Sequence, residues 1–355
     1  MSFDASAQAS AAEAAATAAS AGDHDAFRRL TDPYTRELHV HCYRMLGSFH
    51  DAEDAVQETL LRAWRHLGSF EGRSSFRAWL YRIATNVCLT ARARAGAAPP
   101  PVPAVLAEAV RASSEPGIHL SPYPDALLDE LPATTGNPVA VYDLRESVQL
   151  AFLAAIQLLP PRQRAVLILH DVLGWSAAEL AELLDSTTAS VNSALNRARA
   201  TMRQQRAAGR LQLDRAALPD DAAQALARRY VEAWQSADVA KLAGLLKSDV
   251  VMTMPPLPMR YNGCEAVTQF LTTVPVHGER ERFRFLPTRA NRQPALAVYR
   301  LGTDGDHQTY QAWGMFVLTV DGDAVAEITA FIDPTLPPAF GLPTKLEEGS
   351  SATPR

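Results

Sequence analysis

The chain has 355 residues, 47% of them hydrophobic and 21% charged, with a formal net charge of −5. That length fits two or three domains with substantial cores, and that balance excludes a chain disordered throughout or uniformly basic. No apolar run approaches the roughly 18 residues needed to span a membrane, and three cysteines spread over positions 42, 88 and 264 exclude a disulfide framework and suit a reducing cytoplasm.

Residues 1–26 read as a frayed or disordered leader. The stretch through Ser20 lacks a basic start and a continuous apolar core, so it is not a signal peptide. His39, His41 and Cys42 lie close together, but residues 39 and 41 leave a helix on different sides, so no metal site is assigned.

Residues 27–95 form a first helical domain. Val56, Leu60, Ala63, Trp64 and Leu67 recur at the spacing of one buried helix face. Asp51, Asp54 and Glu58 make an acidic stripe beside it, with Gln57 adjacent; from periodicity alone this is a solvated face. A polar connection from Phe70 to Phe76 holds Arg73, Ser74 and Ser75 around Gly72, and a second amphipathic helix follows with Phe76, Trp79, Leu80, Ile83 and Val87 inward. Arg77, Arg82, Arg92 and Arg94 decorate that helix, and no acid occurs between Arg73 and Arg94. Such a surface suits phosphate, and the polar loop suits an unstacked base.

The run from His41 to Arg65 (HCYRMLGSFHDAEDAVQETLLRAWR) and the run from Phe76 to Asn86 (FRAWLYRIATN) resemble the first conserved domain of extracytoplasmic-function (ECF) sigma factors. The resemblance implies that Asp51, Asp54, Gln57 and Glu58 dock on the clamp of core RNA polymerase. It also implies that Phe70, Arg73, Ser74, Ser75, Arg77, Arg82 and Asn86 face the melted minus-ten element of promoter DNA.

Residues 96–141 are a Pro-rich linker; eight prolines between Pro99 and Pro132 prevent a continuous helix. Within it, Leu120-Ser-Pro-Tyr-Pro-Asp125 resembles a motif of sigma factors with C-terminal extensions, with His119 where a Trp often stands.

Helical periodicity returns in residues 142–212. Val148, Phe152, Ala155, Ile156 and Leu159 share a face ended by Pro160-Pro161, and the next helix buries Val166, Leu169 and Val172 and stops at Gly174. Ser176-Ala-Ala-Glu179 is a capping box, Asp185-Ser-Thr187 a tight turn, and Val191, Leu195 and Ala198 the inner face of a last helix. Two short helices on a tight turn are a helix-turn-helix. No acid occurs from Ser186 to Leu213, while Thr188, Ser190, Asn192, Ser193 and Asn196 suit base edges and Arg197, Arg199 and Arg203 suit phosphate. LLPPRQRAVL from Leu158, AELAELL from Ala178 and SVNSALNRAR from Ser190 resemble the second sigma domain, which reads the minus-thirty-five element. Asp185 replaces the usual Gly, tolerably for a left-handed turn, and Asn192 replaces a common basic residue.

Residues 220–335 read as helices followed by a curved antiparallel sheet, an α+β cone, with a flexible tail at 336–355. Strands are predicted at 250–254, 295–301, 308–320 and 324–331, and a helix at 263–273. Tyr230-Val-Glu-Ala-Trp234, Met254-Pro-Pro256 and Gly314-Met-Phe-Val-Leu318 resemble the SnoaL-like group of the NTF2-like superfamily. The resemblance implies a pocket for a small-molecule ligand, walled by Trp234, Met252, Met254, Phe270, Trp313 and Phe331; these residues read equally well as plain core. His277, His307, Glu327 and Asp333 form no spacing that fixes an acid–base pair, and both histidines fall in predicted loops. The fold class is therefore two all-α sigma domains, the second a helix-turn-helix, followed by a SnoaL/NTF2-like cone. The expected function is promoter-specific transcription initiation with no cofactor, no membrane partner and no catalysis, the cone acting as a regulator. The alternatives are a ligand-responsive helix-turn-helix regulator, or a SnoaL-type enzyme with a helical fusion.

Overall fold

The computed structural model describes residues 23–70, 74–94, 119–130, 147–208, 220–236, 238–273, 283–304 and 307–347. The chain divides into two compact units. One comprises residues 1–98 and 127–211, the other residues 99–126 and 212–355.

The first unit is helical. Helix α1 (His24–Leu46) begins inside the stretch read as leader, because Asp23 caps it through the amides of Asp25 and Ala26. It ends on Gly47, whose φ of 81° supplies the left-handed cap. Ser48 caps α2 (Phe49–His66), and α3 spans Phe76–Arg94. The predicted inner faces close on one another: Val56, Ala63, Leu67, Phe76, Leu80 and Val87 are all buried, whereas Leu60 and Trp64 are half-buried at the edge. A short α4 (Asp125–Asp129) follows, then α5 (Leu150–Gln157) and α6 (Pro161–Leu167), with Pro161 in its first turn. A π-helical turn, Ile168–Val172, extends α6 and leaves Val172 only half-buried, where the 3.6-residue period predicts it inward. The capping box of Ser176 and Glu179 opens α7 (Ala177–Leu183), with both reciprocal hydrogen bonds formed. Asp185 adopts φ 47°, the left-handed conformation the turn requires, and Thr187 caps α8 (Thr188–Ala207).

The histidines near Cys42 serve this core. His41 is fully buried, with Nε2 3.0 Å from Thr85 Oγ1, and His39 packs on Phe49. Burial, reinforced by Arg44 and Arg77, lowers the pKa of His41 to about 3; burial and Arg36 lower that of His39 to about 4. Both groups are neutral in the fold, so the unfolded chain takes up protons first as pH falls below 6.5. Their contribution is fully present above that pH and is lost on acidification, by up to about 1.4 kcal/mol per pH unit for each group until its folded pKa is reached. The expected result is a steep fall in the denaturant midpoint of the helical unit between pH 6 and 4, with a shallower fall in His41→Asn. Parallel pH profiles for the two proteins would contradict this account.

In the second unit, α9 (Asp220–Gln235) and α10 (Val239–Ala243) precede β1 (Leu246–Thr253), β2 (Arg260–Asn262) and α11 (Cys264–Thr273). Strands β3 (Phe283–Ala290), β4 (Gln293–Asp304), β5 (His307–Asp321) and β6 (Ala324–Phe331) follow, then α12 (Leu336–Ala339) and β7 (Lys345–Leu346). The sheet order is β2-β1-β6-β5-β4-β3, with β7 on β5. It is mixed rather than purely antiparallel, because β1 runs parallel to β6. Register shifts at Val298/Tyr299 and Thr319/Val320 bend the long strands. Helix α9 covers the concave face, where Tyr230, Val250, Met252, Phe285, Phe316 and Ile328 share one core. Gly314 permits the close passage of β5 over β6: a Cβ there would lie 2.1 Å from the carbonyl oxygen of Phe331.

Strand β3 and its turn were not among the predicted elements. Asn291 and Arg292 occupy the turn with φ of 55° and 62°, a two-residue hairpin loop without glycine. This turn holds the linker motif. Tyr123 is fully buried, its N–H donating to Asn291 Oδ1 at 2.8 Å, while the Asn291 N–H donates to the Tyr123 carbonyl at 3.0 Å. Asp125 accepts from the Arg292 N–H at 2.7 Å and from Arg289 Nε at 3.1 Å.

Candidate polymerase and promoter interfaces

The acidic stripe lies on α2, whose first turn favours Asp51 through the helix dipole. Asp51, Asp54 and Gln57 are exposed. Glu58 is half-buried and accepts from Arg62 Nε at 2.6 Å, one turn along.

In the minus-ten candidate set, Phe70 packs between Phe76 and Trp79 with ring centroids 5.5 and 5.4 Å away. Ser75 caps α3 by accepting from the Ala78 N–H, and Ser74 is half-buried. Asn86 is exposed; Arg73 lies outside the described residues, as do the side chains of Arg92 and Arg94. Two arginines are engaged within the protein. Arg77 forms a two-pronged pair with Glu37, at 2.8 Å from each head-group nitrogen, and lies over the Tyr81 ring. That geometry serves the packing of α3 on α1 and corrects its reading as a phosphate contact. Arg82 donates to Asp185 in the helix-turn-helix turn at 2.6 Å.

On α8, Thr188, Ser190, Asn192, Ser193 and Asn196 are all exposed, as are Arg197 and Arg203, opposite the buried Val191, Leu195 and Ala198. Arg197 donates to Ser193 Oγ at 2.6 Å. Arg199 pairs with Asp171 through two nitrogens, which raises its pKa further and ties α8 to the π-helical turn.

In the cone, Trp234, Met252, Met254 and Phe270 are buried in one cluster, with Trp313 at its edge. Phe331 is also buried, but strand alternation places it opposite Ile328 and Ala330, outside that cluster, which corrects its assignment to the wall. His277 lies outside the described residues; His307 opens β5 rather than lying in a loop. Asp333 accepts from the Thr335 N–H and hydroxyl, a local turn. Among the described residues no group of three His, Cys, Asp or Glu side chains is placed to hold a metal, and no helix is long and apolar enough to cross a membrane.

Three family profiles match the chain: Sigma-70 region 2 at residues 30–98, Sigma-70 region 4 at 149–202, and SnoaL-like domain at 227–328. The two helical matches define a sigma-70-type initiation factor, and the third defines its C-terminal cone. The chain is 42% identical over 326 residues to the ECF RNA polymerase sigma factor SigG of Mycobacterium tuberculosis, spanning 90% of this chain and 85% of that one. It is 33% identical over 184 residues to the ECF sigma factor SigW of Bacillus subtilis, spanning 52% of this chain and 90% of SigW. The crystal structure of the M. tuberculosis ECF sigma factor SigJ shares the fold, with a TM-score of 0.54 at 20% identity over 87% of this chain and 96% of that one. The protein belongs to the ECF RNA polymerase sigma factors, and carries a SnoaL-like domain after the sigma regions.

Proposed function

We propose that this sigma factor docks on the clamp of core RNA polymerase through Asp51, Asp54, Gln57 and Glu58 of α2. Phe70, Arg73, Ser74, Ser75, Arg82 and Asn86 serve the minus-ten element, and the exposed start of α8 serves the minus-thirty-five element. Arg197 and Arg203 grip phosphate there. The observation that carries the docking role is the exposed acidic rim on α2, set beside a face that is otherwise fully used for packing. Charge on such a rim steers association and weakens with salt. In Asp51→Lys/Asp54→Lys, core polymerase affinity should fall by at least about tenfold at moderate salt, each reversed charge contributing about 1 kcal/mol or more, with helix content unchanged. Wild-type affinity in an equilibrium binding titration would overturn the assignment.

The cone acts as a regulator and a ligand-binding module rather than an enzyme. Supporting this are the engagement of Asp333 in a local turn, the position of Glu327 on the strand face opposite Ile328, and the hold of the hairpin turn on the linker motif. The ligand site is the aromatic and methionine-lined interior around Trp234, Met252, Met254, Phe270 and Trp313. The protein works in the cytoplasm, where polymerase and promoter are.

A further inference from the structure

Arg82 and Asp185 come from different sigma regions and meet at one bond. Within the helical unit α3 packs against α6 and α7. That packing brings the Tyr81 ring to 5.4 Å from the Trp175 ring and Arg82 Nη2 to 2.6 Å from Asp185 Oδ1. Asp185 holds the helix-turn-helix turn at φ 47°, a conformation that glycine or asparagine adopts as readily, so the turn does not call for a carboxylate. It stands two residues before the Thr187 cap, beyond the first turn in which the dipole of α8 would favour an acid. No further acid occurs from Ser186 to Leu213. A negative charge at the head of a helix that meets DNA repels phosphate, so its presence needs another account.

The exposure of the pair decides what it can do. The Arg82 and Asp185 side chains are 43% and 74% exposed, so water screens their attraction and the pair adds little to stability. Arg77 differs: its partner Glu37 is only 16% exposed, and two nitrogens and the Tyr81 ring hold its head group. Reaching Arg77 would strip a largely buried carboxylate of its cation, whereas Asp185 returns to water at little cost. The Asp185 oxygen also lies where a phosphate oxygen would accept from the same guanidinium.

We propose that Asp185 is a built-in competitor for DNA phosphate at Arg82, a carboxylate of the helix-turn-helix turn that caps a minus-ten cation until DNA displaces it. This rests on the reading of Arg82 as a minus-ten contact, and adds the acid that sets how strongly that contact binds. The competitor weakens binding of any stray strand alike, since phosphate carries no sequence.

The test is a double-mutant cycle on the full chain at low salt. Its readout is the fluorescence anisotropy of a labelled, random-sequence DNA single strand of about 15 nucleotides. Asp185→Asn keeps the left-handed turn and removes the charge. Arg82→Gln should weaken binding about two- to fivefold more in the Asp185→Asn background than in the wild type, the range an exposed pair supports. Asp185→Asn alone should bind the strand more tightly than the wild type. Its salt dependence should be steeper by up to about 0.7 in log–log slope, the counterion release of one phosphate contact on a single strand. A loss on Arg82→Gln as large or larger in the wild type overturns the competitor and leaves Arg82 as a DNA contact; any gain from Asp185→Asn is then general charge repulsion. No loss in either background removes Arg82 from the minus-ten set, and the competitor falls with it.

Discussion

Replacing Arg164 by Met is expected to destabilise the helical unit by about 3–5 kcal/mol, the scale on which removing a fully engaged buried charged group acts. Arg164 is 1% exposed, a charged side chain inside the helical core. Its guanidinium donates to the carbonyls of Ile156 at 2.9 Å, Met45 at 2.5 Å, Gln157 at 2.8 Å and Leu159 at 3.1 Å, and to Gln157 Oε1 at 2.5 Å. Those of Ile156 and Gln157 end α5 and that of Met45 ends α1, so a single cation donates to carbonyls at the ends of two helices, that of Ile156 accepting from the Leu159 N–H as well. The negative ends of two helix dipoles favour the cation there. Methionine fills similar volume but donates nothing, stripping several buried carbonyls of a charged donor. Lysine keeps the charge but has only three donors on a point-like head, so Arg164→Lys should recover less than half of the loss. Denaturant titration followed by circular dichroism measures both, and a midpoint in Arg164→Met equal to that of the wild type would refute this account.

That arginine also marks where sequence reading stops. Periodicity identifies faces whose residues are all apolar, and so the buried stripe of α2, the capping box at Ser176 and the left-handed Asp185 are legible. Arg164 follows the same helix face as any solvated arginine in a list of charges; only the three-dimensional meeting of two helix ends makes it internal. Arg77 is the converse case. The absence of acids between Arg73 and Arg94 suggests a free cationic surface, but Glu37 lies 40 residues earlier on a helix packed alongside. In the cone, β3 escaped because Pro287 interrupts its alternation and because Asn291-Arg292 lacks the glycine that usually signals a tight hairpin. The parallel pairing of β1 with β6 joins segments more than seventy residues apart, which local pattern does not encode. Of the six residues read as wall or core, Trp234, Met252, Met254 and Phe270 share one buried cluster with Trp313 at its edge, while Phe331 lies one residue out of register with that face.

Asp125→Ala should release the linker from the hairpin turn and broaden the range of promoter spacings that the protein serves. The motif is held by two main-chain-type bonds between Tyr123 and Asn291, by the carboxylate of Asp125 on Arg292 N–H and Arg289 Nε, and by burial of Leu120 and Tyr123. Burial raises the pKa of Asp125 against the pull of those donors, so the carboxylate relies on them to stay ionised in place. Removing it deletes two charge-assisted bonds, a loss of about 2–4 kcal/mol, enough to shift the bound fraction of the motif by more than tenfold. Residues 119–125 lie between the two sigma regions in sequence, so holding them on the turn pins one point of the connecting chain, and a pinned tether restricts the separations its ends can span. In transcription with core polymerase, the wild type should favour one spacing between the two promoter elements. Asp125→Ala should lose about three- to tenfold of that preference against spacers altered by one or two base pairs, and a chain ended near Leu211 should match it. Arg292→Gly is the control: it keeps the peptide N–H that Asp125 accepts from and relieves a left-handed φ on a side chain, so linker and preference should both be retained. Hydrogen exchange at residues 119–125 reports release independently of transcription. Fast exchange with an unchanged spacing preference would show that the clasp forms but does not set promoter geometry. Slow exchange in Asp125→Ala would show that the carboxylate does not hold it.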